Sequence, residues 1–224
     1  SIGGTDSEKC TAANGGAVAV NGGTFTMTSG IIQNSTSTED GGAVYVSVTG
    51  IPLGDSFTMS DSASIMNCTA SGNGGAICVE GGSASMSGGS IKSSTAPSGN
   101  GGAVSVSNGN FAMSGGTIGD YDAVCSAKNG GAVSVTGGTF TMSGASAVTY
   151  CNATENGGAV YVSVTGTPSV DSFTMSETSS IQNCNAVKDG GAVYVSGGSA
   201  RMLNGDIEKC SAVNGGAVSV SGGN

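Results

Sequence analysis

Cysteine is the most reactive residue type in this chain of 224 residues, which contains seven cysteines and no histidine. Six of the seven share one register of an internal repeat: Cys10, Cys68, Cys125, Cys151, Cys184 and Cys210. None belongs to a Cys-x-x-Cys pair, which argues against the common structural zinc sites. Neighbouring strands lie about 4.8 Å apart, so stacked cysteines would come within disulfide reach. The register favours a ladder of buried thiols and leaves disulfides between coils open.

The seventh cysteine, Cys78, falls at an outward position of a strand where three other repeats carry Tyr45, Tyr161 or Tyr194. Alternate residues of a strand point to opposite faces, so this side chain is expected outside the core. An outward thiol is a candidate for an intermolecular or reactive cysteine. The alternative is an inert surface cysteine.

The catalytic inventory of the chain is poor. Serine is abundant, but without histidine there is no base for a Ser-His-Asp nucleophile. Carboxylates occur close together, as in Glu39 with Asp40 and Asp120 with Asp122, and a glycosidase needs such a pair. The chain has no tryptophan platform and no basic cluster for an acidic sugar. We therefore predict a protein that is not an enzyme and that holds neither a cofactor nor a metal.

An Asn or Asp stands directly before each Gly-Gly pair of the repeat. These residues are Asn14, Asp40, Asn73, Asn100, Asn129, Asn156, Asp189 and Asn214. Their side chains suit turns and, when stacked, can hydrogen-bond from coil to coil. Because most are neutral, they predict a structural ladder in preference to calcium ligands. A neighbouring Thr-x-Thr pattern, as at Thr139 and Thr141, would suit ice binding, but two repeats interrupt it, which favours a solvated hydroxyl face.

Charge excludes several kinds of partner. The net charge is −9, and Arg201 is the single arginine. Nucleic-acid binding needs a track of basic residues to neutralise phosphate, and anionic lipid attracts polybasic segments. No apolar run approaches the roughly 18 residues of a membrane span. We expect no binding to nucleic acid and no membrane insertion by this segment.

The repeat itself is marked by Gly-Gly-Ala followed by Val or Ile. Its eight copies begin at Gly15, Gly41, Gly74, Gly101, Gly130, Gly157, Gly190 and Gly215. Between copies, Gly turns separate short segments in which apolar residues alternate, such as Val193 with Val195 and Ala200 with Met202. A third apolar segment runs from Ile207 to Ala212. This pattern predicts a right-handed parallel β-helix of about eight coils with three short strands each, with Val, Phe, Met and Ile ladders inside.

A longer period covers four coils, because Gly41 to Gly157 and Gly74 to Gly190 are both 116 residues. The longest coils carry matching Pro-containing insertions. Inserted loops of a solenoid often form its binding face. The candidate binding residues in these loops are Ile51, Pro52, Leu53, Asp55, Thr167, Pro168, Ser169 and Asp171. Simple surface decoration is the alternative.

Three Asn-x-Ser/Thr sequons occur, at Asn34, Asn67 and Asn152. They are candidates for N-glycosylation if the source is eukaryotic and the side chain is exposed. Asn67 falls within a predicted strand, which argues against its modification.

The Gly-Gly-Ala-[Val/Ile] repeat resembles that of the chlamydial polymorphic membrane proteins. All eight copies match, across essentially the whole chain. The partner motif Phe-x-x-Asn is replaced by Ile-Met-Asn-Cys at Ile65 and by Ile-Gln-Asn-Cys at Ile181. Related repeats occur in surface proteins of other bacteria and of some protists. The resemblance implies a right-handed β-helix displayed on the cell surface, often as an adhesin.

These patterns predict one β-solenoid segment over residues 1–224, and its start and end within a repeat suggest a longer repeat protein. We expect an extracellular or cell-surface stalk, fibre or adhesin that associates end to end with neighbouring repeats. The alternative is a module that binds a host or cell-surface glycan or protein through the Pro-containing loops. Ice binding and a polysaccharide-active enzyme rank below both.

Overall fold

A computed structural model describes residues 1–5, 8–48, 56–166 and 170–223. Over these residues the chain is all-β and winds into a solenoid of about seven turns, with every strand pair parallel between coils. The predicted parallel β-helix is confirmed, and the expected number of about eight coils is close. The described residues contain no helix that is long and apolar enough to cross a membrane.

Four sheets run along the solenoid. The first follows the Gly-Gly-Ala motif: Val18–Val20, Val44–Ser47, Ile77–Gly81, Val104–Val106, Val133–Val135, Val160–Ser163, Val193–Gly197 and Val218–Val220. The second contains Phe25–Met27, Phe57–Met59, Ser83–Met86, Asn110–Met113, Thr139–Met142, Phe173–Met175 and Ala200–Met202. The third contains Ile31–Gln33, Ser64–Met66, Ser90–Lys92, Thr117–Ile118, Ala147–Thr149, Ser180–Gln182 and Asp206–Glu208. The fourth contains Thr11–Ala12, Thr36–Ser37, Thr69–Ala70, Thr95–Asn100, Cys125–Asn129, Cys151–Ala153 and Asn185–Ala186.

The prediction of three strands per coil is wrong, because the third apolar segment bends into two. A residue with left-handed backbone stands between the Ile and Cys positions, for example Asn67 at φ +55° and Asn183 at φ +54°. Asparagine tolerates this conformation better than most residues. The bend ends the third sheet and starts the fourth, which carries the cysteine register.

The inward side chains form the predicted ladders. Phe140 lies between Phe111 and Phe173, with ring centroids 5.3 Å apart on both sides. Met and Val ladders pair coil to coil in register, and Ile118 pairs with Ile91 in the Ile ladder. The core is therefore one apolar column along the axis of the solenoid.

The Gly-Gly pairs of the first seven copies meet two separate demands. Gly41 has φ +64°, a left-handed conformation that favours glycine. At Gly42 a Cβ would lie 2.1 Å from the carbonyl oxygen of Gly75 in the next coil. The second glycine is thus required by the close approach of two backbones.

The Asn and Asp ladder forms as predicted. The backbone N–H of Asn100 donates to Asn73 Oδ1 at 3.0 Å, and that of Asn156 donates to Asn129 Oδ1 at 3.1 Å. Most of these side chains therefore accept a hydrogen bond from the coil that follows, which helps fix the register of the stack. Asn156 is an exception, because its Oδ1 is buried and has no hydrogen-bond partner among the described residues.

Candidate functional site

Seven of the eight candidate binding residues in the Pro-containing loops lie outside the part of the chain that the structure describes, so the predicted binding face stays a prediction. These seven are Ile51, Pro52, Leu53, Asp55, Thr167, Pro168 and Ser169. Asp171 is described, and its carboxylate accepts a hydrogen bond from Ser199 Oγ at 3.1 Å and lies 3.7 Å from the Arg201 guanidinium. Its charge is already paired within the solenoid.

All seven cysteines are free thiols. Those of the common register lie on the fourth side of the coil, where four successive coils carry Cys125, Cys151, Cys184 and Cys210. Cys151 and Cys184 each donate to the carbonyl two residues earlier, at 3.3 Å. Burial raises the pKa of Cys68 to about 11. The structure thus has the thiol-ladder form of the two predicted alternatives.

The cysteines at the two ends of this register, Cys10 and Cys210, are only half-buried. They occupy the first and last coils, where one neighbouring coil is missing from the described chain. The greater exposure of these two cysteines follows from their position in the end coils and does not mark a separate site.

The three sequons lie at two kinds of position. Asn67 is exposed at the left-handed corner between two strands, so its predicted placement within a strand is wrong. Asn152 is exposed and accepts a hydrogen bond from the Asn185 side chain at 3.2 Å. Asn34 is half-buried and its amide donates to the carbonyl of Gly4. Exposure favours Asn67 and Asn152 as acceptors.

The expectation that Cys78 is a surface thiol is wrong. It lies outside the apolar core column, as the alternation predicts, but its side chain is only 1% exposed. A surface thiol available to another molecule is therefore not what the structure shows. Neighbouring side chains on the outer face cover it, which the alternation of one strand cannot reveal.

Two carboxylates meet the Cys78 thiol on this outer face. Asp40 comes from the turn of the preceding coil, and Glu80 lies two residues after Cys78 on the same strand. One donor atom from each of Asp40, Cys78 and Glu80 lies within 4.8 Å of the other two. We call this group the Asp-Cys-Glu cluster.

A β-bulge helps direct Glu80 to the cluster. The pairing of Ile77–Gly81 with Val44–Ser47 shifts register between Val79 and Gly81, so Glu80 is the extra residue. Bulges commonly redirect a side chain. The Tyr45 hydroxyl of the neighbouring strand donates a hydrogen bond to Glu80 Oε2.

Asp40 is oriented by the Asn and Asp ladder. The Asn73 side-chain amide donates to Asp40 Oδ1 at 3.2 Å, and the Asn73 backbone N–H donates to the same oxygen. Asp40 Oδ2 and Glu80 Oε1 have no donor among the described residues. Both carboxylates are half-buried, so the cluster is open to solvent on their side.

The cluster is electrostatically uncompensated within the described part of the chain. The ion pairs found there are Lys92 with Asp120, Lys188 with Glu155, and Arg201 with Asp171, and none includes a member of the cluster. Burial, together with the negative charge of Asp40 and Glu80, raises the pKa of the Cys78 thiol. Without a cation the thiol stays protonated, and with one the cluster offers a sulfur and two oxygens as ligands.

The sequence analysis missed this cluster because its members are far apart in the chain and were considered separately. Asp40 was counted with the turn ladder and Cys78 as a surface thiol, and Glu80 was not considered. The available signal was that Cys78 and Glu80 share an outward face within a coil that also follows an Asp turn.

Comparison of the chain with protein-family models, with curated proteins and with solved structures found no match. The resemblance to the chlamydial repeat therefore stays a hypothesis based on the Gly-Gly-Ala motif.

Proposed function

We propose that the chain serves as a rigid structural segment of an extracellular or cell-surface stalk, fibre or adhesin. The observation that carries this proposal is the stacking of the coils through parallel strand pairs on all four sides. Each added coil would lengthen such a body by about 4.8 Å without changing its cross-section. That property suits a spacer that holds a partner at a distance or builds a filament.

The outermost described coil leaves apolar side chains exposed. Val218 is 46% exposed and Val220 is 57% exposed, whereas the same positions in an interior coil, Val133 and Val135, are 0% exposed. Apolar side chains at an open sheet edge gain free energy when another coil covers them. A further solenoid coil has the matching shape, and in a solution of this chain alone a second copy supplies it.

Sedimentation velocity over a range of concentrations tests this proposal. We expect the chain to form end-to-end assemblies as concentration rises, and we expect Val220→Glu to remain monomeric because it buries a charge in the contact. Val187→Glu is the matched control. Val187 is 63% exposed, and the corresponding residues of interior coils, Ser71 and Thr154, are also exposed, so it lies on the side of the solenoid.

If Val187→Glu assembles as the unmodified chain does, the result supports end-to-end stacking. Equal loss of assembly in both variants, or a chain that stays monomeric throughout, would contradict it. Antibody labelling of intact source cells tests the location, and staining that requires permeabilisation would overturn the surface assignment.

A further inference from the structure

We propose that Asp40, Cys78 and Glu80 bind one divalent transition-metal ion of the zinc class, through the thiolate of Cys78 and one oxygen of each carboxylate. This proposal is independent of the stalk function. It concerns a lateral face of the solenoid and needs no second copy of the chain.

The geometry is close to that of a bound ion. The three donor atoms lie within 4.8 Å of one another. Bond lengths of about 2.3 Å to sulfur and about 2.0 Å to oxygen place the donors of a tetrahedral zinc about 3.5 Å apart. The side chains must therefore close by about 1 Å, which rotation of Asp40 and Glu80 can supply because both are half-buried.

The thiol itself points to a ligand. Cys78 is only 1% exposed, and its sulfur has no hydrogen-bond partner among the described residues. The other buried cysteines differ in this respect, since Cys68, for example, donates to the carbonyl of Met66 at 3.2 Å. A buried polar group normally has a partner. In this cluster one oxygen of each carboxylate lies within 4.8 Å of the thiol, and a cation between them would satisfy all three groups.

The donor types decide the class of metal. Calcium and magnesium prefer oxygen ligands, whereas thiolate sulfur selects zinc and similar transition metals. Three protein ligands leave a fourth position on the solvent side for water. The Tyr45 hydroxyl already donates to Glu80, and such outer hydrogen bonds commonly orient a ligating carboxylate. Binding forms the metal–sulfur bond and releases the thiol proton to the solvent.

The second four-coil block provides an internal control. A shift of 116 residues converts Asp40, Cys78 and Glu80 into Asn156, Tyr194 and Ser196. The block keeps the same β-bulge, with Ser196 as the extra residue. None of the three replacements is a carboxylate or a thiol, so the same backbone there has no such ligand set.

Titration of the reduced, metal-free chain with Co²⁺ tests the site, because a cobalt–thiolate bond gives a charge-transfer absorption band. We expect one equivalent to bind with this band. Cys78→Ser should abolish the band, and Asp40→Asn and Glu80→Gln should each weaken binding at least tenfold. Serine is compatible with the fold at this position, since Ser105 and Ser134 occupy it in other coils.

The other thiols need their own control. Cys210→Ser alters a half-buried end of the cysteine ladder and should leave the band and the stoichiometry unchanged. Circular dichroism verifies the fold of each variant, and Cys78→Ala replaces Cys78→Ser if the latter misfolds. Ala19, in the same register, shows that alanine fits there.

A gain-of-site variant makes the test sharper. Asn156→Asp with Tyr194→Cys and Ser196→Glu should raise the cobalt stoichiometry from one to two. A band that survives Cys78→Ser, or carboxylate variants that bind as tightly as the unmodified chain, would overturn the proposal. Added Zn²⁺ should displace the bound Co²⁺ and remove the band, whereas added Ca²⁺ should not. Displacement of Co²⁺ by Ca²⁺ would contradict the proposed metal class.

Discussion

The two four-coil blocks of this solenoid share a backbone and differ in what they place on its outer face. Tyr45 in the first block corresponds to Tyr161 in the second, and the strand beside them carries Cys78 or Tyr194 respectively. In the second block the two tyrosine rings stack, with centroids 5.7 Å apart. In the first block the cysteine leaves no ring to stack upon, and the Tyr45 hydroxyl instead donates to Glu80.

This difference shows which positions the fold constrains. Inward residues face the same neighbours in every coil, so both blocks keep Phe and Met at equivalent sites. Outward residues meet solvent or each other, and one coil can change them without disturbing the column. Chemistry that is particular to this protein is therefore expected on the outer face of single coils.

The largest expected effect comes from residues that the blocks share. Phe57 and Phe173 are equivalent and are 1% and 3% exposed. Phe57→Ala and Phe173→Ala should each lower the free energy of unfolding by about 3–5 kcal/mol, because each leaves a cavity in the column. Urea denaturation measures both. Thr174→Ala, on the outward face of the same strand, should change it by less than about 0.5 kcal/mol. Unequal losses at the two phenylalanines would show that the blocks are not energetically equivalent.

Substitution of the second glycine of the motif should destabilise an interior coil more than the last coil. A Cβ on Gly75 would lie 2.2 Å from the Gly102 carbonyl oxygen, and one on Gly191 would lie 2.1 Å from that of Gly216. Gly75→Ala should cost about 1–3 kcal/mol of unfolding free energy, and Gly191→Ala less, because the last coil can shift away.

Thermal or urea unfolding checks this order. Gly22→Ala is the matched control, since no atom lies within 4 Å of its added Cβ. A larger loss at Gly191 than at Gly75 would contradict the explanation by coil position.

A spectroscopic difference is expected at Tyr45. Burial, with the hydrogen bond to Glu80, raises the pKa of Tyr45 to about 12 from an ordinary 10.0. Because the folded value is the higher one, the associated stability is present below about pH 10 and is lost as pH rises toward 12. Absorbance titration of the metal-free chain should therefore show one phenol that ionises at higher pH than the others, and this phenol should be absent from Tyr45→Phe. If the phenol lost in Tyr45→Phe is one that ionises near the ordinary tyrosine pKa, this assignment is contradicted.

The smallest expected effect on stability comes from removing an ion pair found in the second block. Lys188 Nζ lies 2.9 Å from Glu155 Oε1, and the equivalent residues of the first block are Gly72 and Glu39. The hydrogen bond from Lys188 lowers the pKa of Glu155, so any stability it confers is present above the ordinary glutamate pKa and is lost on acidification.

Urea midpoints of the unmodified chain and Lys188→Ala should differ slightly at about pH 7 and converge as the pH falls below the lowered pKa of Glu155. High salt should also reduce the difference, because the pair is exposed. A difference that grows in acid would exclude the ion pair as its cause.

Local patterns were sufficient to predict the coil, the ladders and the turn glycines, because each depends on residues that recur at fixed positions. They failed at the bend between Ile and Cys, where a left-handed Asn, Ser, Tyr or Lys divides one apolar segment into two strands. They failed again at Cys78, because the pattern of one strand does not reveal that Asp40 and Tyr45 of the preceding coil lie beside it.

By itself, the sequence determined a parallel β-solenoid with an apolar column of Val, Phe, Met and Ile, because an eightfold repeat leaves each coil the same neighbours. Only the tertiary structure decided that there are four sheets, that the cysteines are free thiols, and that one thiol meets two carboxylates. The physical reason is that stacking joins residues about thirty positions apart, and the β-bulge at Glu80 then sets which outward side chains meet.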